Sequence, residues 1–152
     1  MKSLPSDHQF QPFLTFLRNN GISDPEFLTG ILCQVNAISR HSLESTECGF
    51  LLSIIQGGNP KNQNEVLLLT HMAAVHDAMM TAARNLASAT DAEQVDRFAN
   101  VLSKLARIFV AQLEGLQRSH SVNEKNINIQ NVSIREIAKE ILRNVIENGR
   151  GG

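Results

Sequence analysis

The sequence predicts a mainly α-helical protein with an N-terminal helical region, a long antiparallel helical hairpin, one short β-strand and a C-terminal amphipathic helix. Three observations carry that expectation. Apolar residues recur at spacings of three and four over most of the chain. Clusters of Gly, Asn and Pro near residues 20 and 58 punctuate the pattern. Only residues 125–134 alternate with period two. The expected divisions are 1–60 for the helical region, 61–120 for the hairpin, and 121–152 for the strand and last helix.

The first helix gathers Phe10, Phe13, Leu14, Phe16 and Leu17 and stops at Asn19-Asn20-Gly21, where Gly can adopt the left-handed cap conformation. Ser23-Asp24-Pro25-Glu26 reads as the next start, with Ser as cap and Pro in the first turn. Phe27, Leu28, Ile31, Leu32, Val35 and Ile38 continue one face to about residue 39. A third helix over 45–56 is expected to bury Phe50, Leu51, Ile54 and Ile55 before Gln56-Gly57-Gly58-Asn59-Pro60 ends it. Five of the seven Phe precede residue 57, which supports a boundary there.

From about 62 to 88 apolar residues line a long helix that includes Val66, Leu69, Met72, Ala73, His76, Met79 and Leu86. Thr90-Asp91-Ala92-Glu93 offers a capping box for a second long helix over 92–118. Val95, Phe98, Leu102, Leu105 and Phe109 follow a 3-4-3-4 seam, and a four-residue connection obliges the two helices to run antiparallel. Ala-rich stretches at 72–74 and 81–83 allow close approach. Leu68, Val75, Val101, Ile108 and Val110 fall outside a narrow seam and call for further cover. In the strand, Ile127 and Ile129 alternate in one phase and Val132 and Ile134 in the other. Copies of itself from other subunits are its expected partners. Ser133 to Glu136 resembles a capping box for a final helix with Ile137, Ile141, Leu142, Val145 and Ile146.

With 152 residues and 42% apolar content, the chain can bury a core, which excludes disorder throughout. Lys and Arg number 14 against 15 Asp and Glu, so an overall cationic coat for nucleic acid is excluded. The balance is uneven, however: residues 1–96 hold 5 basic and 10 acidic side chains, and 97–152 hold 9 and 5. Such asymmetry can orient subunits or bias the C-terminal part toward anions. Cys33 and Cys48 are expected to be reduced, small apolar residues. No signal-like start and no run near 18 uninterrupted apolar residues is seen, so the expectation is a cytoplasmic protein without a membrane partner.

Little chemistry is suggested. His41, Glu44, Glu47 and Cys48 have metal-ligand types, but a single His among acids at a helix start reads better as ordinary capping and solvation. His71 and His76 lie about 140° apart on a helix and cannot share an ion. His76-Asp77 has no nucleophile placed beside it. Gly57 to Lys61 lacks the Gly-Lys-Ser/Thr ending of a phosphate loop. No catalysis, cofactor, bound metal or small-molecule substrate is expected. Arg97, Lys104, Arg107 and Arg118 are the candidates for nucleic-acid contact, although Tyr and Trp stacking platforms are absent.

Residues 50–65, the stretch Leu69 to Met79, and Ser103-Lys104-Leu105-Ala106-Arg107-Ile108-Phe109 through Leu116 resemble a family of short uncharacterised bacterial proteins frequent in proteobacteria. That family carries an "NKLARTFxxQxEAL" helix followed by an alternating strand, as Lys125 to Ile134 would be here. The resemblance covers about 50–134 and ends there, since the usual Gly-Gly-Gln-Ala-Ile-Val-Gly tail is replaced by the amphipathic helix. It implies no site residues. The order of helices, hairpin and strand is also similar, by analogy alone, to phage small terminase subunits, which form rings and recognise viral DNA. Together these readings give a homo-oligomeric structural or adaptor protein, assembled through Val95, Phe98, Leu102, Leu105, Phe109, Ile127, Ile129, Val132 and Ile134. The alternative is a phage-like DNA-packaging or regulatory subunit.

Overall fold

The computed structural model describes the backbone of residues 10–39 and 46–148, and side chains over 10–39 and 48–122. Five helices follow one another: α1 Gln11–Asn19, α2 Pro25–Ile38, α3 Thr46–Gly57, α4 Gln63–Ala87 and α5 Ala92–Asn148. Backbone contacts divide the chain into two units that meet in sequence at Glu114 and Gly115.

In the first unit, α1 ends as its sequence suggests. Gly21 has φ +80°, its N–H donates to the Arg18 carbonyl, and the Ile22 N–H donates to the Leu17 carbonyl. Those paired bonds satisfy the last carbonyls, and the buried Ile22 and Leu17 seal the turn. The cap of α2 is Asp24 rather than Ser23, since its carboxylate accepts from the Glu26 and Phe27 N–H groups. At the start of α4, Asn62 accepts from the Glu65 N–H at 3.0 Å, while the Glu65 carboxylate accepts from the Lys61 N–H at 2.7 Å. These bonds let a carboxylate sit in the core at 1% exposure. Buried Thr70 satisfies its hydroxyl by donating to the Val66 carbonyl.

The core lies where α2 and α3 pack on α4 and α1 packs on α3. Leu17, Ile31, Val35, Ile55 and Val66 are among its fully enclosed members. On α3 the buried residues are Cys48, Leu51, Leu52 and Ile55, which corrects the expected set: Phe50 is 52% exposed and Ile54 half-buried. The helix turns its 48–52–55 side inward, and Phe50 falls outside that arc. Gly58 permits the return to α4, because a Cβ there would collide with the Leu69 side chain. Asn59 follows at φ +48°, a conformation Asn tolerates better than most residues.

α4 has an 18-residue window of mean hydropathy 1.3, so by length and composition it could cross a membrane. Its first half is occupied otherwise, with Val66, Leu69, Met72 and Ala73 in the core. Ser88 closes α4 through its N–H and hydroxyl, both donating to the Arg84 carbonyl. Asp91, not Thr90, caps α5: its carboxylate accepts from the Gln94 N–H at 2.8 Å, and Gln94 reaches back to the Thr90 N–H. The capping box is therefore shifted one residue from the expected one.

In the second unit, residues 125–134 are helical, and no strand occurs among the described residues. Ile127, Ile129, Val132 and Ile134 thus belong to α5 and not to a β-element. Ser133 and Glu136 stand inside the helix, so they start nothing. The physical reason is the absence of any Gly or Pro from Leu116 to Asn148. A helix pairs its own backbone groups there, whereas a lone strand pairs none.

Candidate assembly surface

Most of α4 is covered by its own chain, but the part of α5 in the first unit is not. Phe98, Leu102, Leu105 and Phe109 are half-buried along one side of the helix. A row of rings marks that seam. The His76 ring lies 5.8 Å from Phe50 and 6.5 Å from Phe109, centroid to centroid, and so ties α3, α4 and α5 together. His76 serves as a spacer between two phenyl rings, an arrangement that the apolar face of α4 hinted at but that sequence could not pair. Of the expected seam residues, Phe109 is the one with a ring contact to α4 among the described residues.

On either side of this seam the apolar residues remain wet. Val101 and Ile108, seven apart, are 42% and 47% exposed, and Val95, Val110 and Leu113 are 44%, 54% and 40% exposed. On a helix these positions flank the half-buried face on both sides, an apolar arc near 200° where about 100° suffices for a helix packed on one neighbour. Of the expected assembly residues, the structure leaves Val95 open and Phe98, Leu102, Leu105 and Phe109 half-covered. Val101, Ile108 and Val110 were expected to need cover; Leu113 and Leu116 were expected to continue the seam in a shifted phase, and of these Leu116 is buried whereas Leu113 is exposed like the other three.

A cleft of about 220 Å³ opens beside the ring row, lined by Ile38, Leu51, Phe50, His76, Met80 and, at its polar end, Asp77 and Arg84. Phe50 and Met80 are each about half exposed there. No group of three His, Cys, Asp or Glu side chains within reach of one ion occurs among the described residues. Of the four residues weighed and set aside above as metal ligands, His41 and Glu44 lie outside the described residues. Neither cysteine forms a disulfide; Cys48 is buried, and burial raises its thiol pKa. Cys33 is exposed, which corrects its expected role as a small apolar filler.

The basic candidates share a side without forming a uniform cationic strip. Arg97, Lys104 and Arg107 are exposed, but Glu93, Asp96 and Glu114 stand interleaved on the same flank of α5. The Arg97 guanidinium lies 5.0 Å from the Phe98 ring centroid, held against its own helix. Arg118 is exposed in the second unit. No family model, curated protein or solved structure matches this chain.

Proposed function

We propose that the protein is a non-enzymatic, homo-oligomeric structural or adaptor component that assembles through α5. One observation carries this reading: five large apolar residues, Val95, Val101, Ile108, Val110 and Leu113, stay at least 40% exposed on the part of α5 in the first unit after the chain has buried its core. Monomers rarely keep apolar surface gathered in this way, and association removes it from water. The role first given to a strand at 127–134 passes to the helix that occupies those positions.

Light scattering on the full chain across a concentration series tests the proposal. A mass above the 16.8 kDa monomer is expected, falling toward it in the Val101→Ser/Ile108→Ser double variant. A monomer at every concentration would refute the proposal.

DNA binding is the second reading, favoured by the three exposed cations Arg97, Lys104 and Arg107 on one side of α5. It calls for salt-sensitive retention on heparin that is lost on neutralising those residues. Retention unchanged by Arg97→Gln/Lys104→Gln/Arg107→Gln would remove it.

A further inference from the structure

Among the described residues, α5 is the only element of the second unit. Within it Ile127, Ile134 and Ile141 recur every seven residues, and Ile137 stands three past Ile134. These four positions fall on one side of the helix, at the a and d places of a heptad frame. The same frame sets Asn123, Gln130 and Asn144 at d places, while Lys125, Arg135, Glu136, Lys139 and Arg143 lie outside the seam. Among the described residues the second unit holds no other element on which this amphipathic helix could pack.

We infer that residues 120–144 pair with the same segment of a second copy, parallel and in register. This inference rests on the homo-oligomeric reading above and deepens it by fixing direction. The order of apolar and amide positions decides it. In parallel register every layer meets itself: isoleucine faces isoleucine at 127, 134, 137 and 141, amide faces amide at 123, 130 and 144, and histidine faces histidine at 120.

Antiparallel pairing sets an a position against a d position instead. With Ile134 opposite Ile137, Ile127 lands against Asn144 and Ile141 against Gln130, each twice by symmetry. Sliding one heptad places Ile134 against Gln130 and Ile141 against Asn123. Both arrangements bury amides against hydrocarbon with no partner for their polar atoms.

Charge does not oppose the parallel choice. Its flanking pairs set Glu124 opposite Ser119 and Glu140 opposite Val145, so no like charges meet. A partner of unrelated sequence would have to reproduce the amide spacing, whereas a second copy supplies it by identity.

Disulfide trapping in the full chain tests the direction, in a Cys33→Ser background that removes the exposed native thiol. The expected result is rapid covalent dimer formation by the Asn144→Cys chain, and no mixed disulfide between a Gln130→Cys chain and an Ile141→Cys chain. The opposite pattern overturns parallel register and leaves self-assembly standing. Ile134→Ala, which retains helix propensity, is expected to weaken association by about thirtyfold or more. An unchanged oligomer in that variant refutes the seam while sparing the role of Val101 and Ile108. A chain that stays monomeric by light scattering overturns both the seam and the proposed function.

Discussion

α4 and α5 draw on the same apolar residue types and are joined by four residues, yet the chain treats them differently. On α4, Val66, Leu69, Met72 and Ala73 are buried beneath α2 and α3, and Ala82 is buried further along. On α5, between residues 92 and 114, no side chain is fully buried, and the apolar positions are either half-covered or open. The difference lies in neighbours, not composition. Two short helices, α2 and α3, pack on α4 with α1 behind α3, and among the described residues nothing comparable in the first unit covers the outer flanks of α5. One helix completes a core; the other keeps a surface.

The sharpest way to break that comparison is a matched truncation on each helix. Leu69→Ala removes a 2%-exposed side chain from the core and is expected to cost about 2–5 kcal/mol of folding stability. Ile108→Ala removes a 47%-exposed one and is expected to change folding by about 0.5 kcal/mol or less, while weakening self-association. Denaturant titration in dilute protein reads the first quantity, and sedimentation at rising concentration reads the second. Equal losses of folding stability would mean that α5 is as much a core helix as α4.

A smaller effect probes how α4 is seated. Gly58→Ala puts a methyl group into the Leu69 side chain, which is itself packed in the core, and is expected to cost about 1–3 kcal/mol. Gly30→Ala is the control: its Cβ meets no atom within 4 Å, and the position is an exposed one inside α2. That change is expected to stabilise by about 0.4–1 kcal/mol through the lost freedom of glycine. A neutral Gly58→Ala in thermal unfolding would show that the α3–α4 turn can yield, and that α4 is held less firmly than its burial implies.

The helices of the first unit were legible because their signals are local. The Asn19-Asn20-Gly21 stop, Pro25 in a first turn and the Gly57 to Pro60 break each act within a few residues. What escaped were choices between neighbouring residues of similar chemistry: Asp24 over Ser23, and Asp91 over Thr90, as caps. Both members of each pair can accept an N–H bond, and the backbone turn selects one.

The alternation of Ile127 and Ile129 misled for a different reason. Two β-branched residues two apart read as a strand, but Ile127, Ile134 and Ile141 equally mark a heptad. Without a pairing strand or a breaker, the self-satisfied helix prevails. The row of Phe50, His76 and Phe109 was illegible because it joins residues far apart in sequence, and only packing brings them together.

The smallest expected effect separates the two cysteines by the same contrast of covered and open. Cys33 is exposed and Cys48 has no accessible surface, and burial raises the Cys48 thiol pKa. A disulfide-exchanging thiol reagent should therefore titrate one thiol at once in native protein and the second only on unfolding, because the thiolate is the reactive form. A raised folded pKa means that the native state holds its proton after the unfolded thiol, near 8.5, has begun to lose it. The contribution to stability is then complete below that range and declines as pH rises through it toward the folded value. Denaturation midpoints measured from neutral to alkaline pH should fall less steeply in Cys48→Ala than in the parent chain, whatever the variant's loss at neutral pH. Parallel pH profiles for the two chains, or two thiols reacting at the same rate, would place Cys48 at an accessible site and loosen the packing assigned to α3.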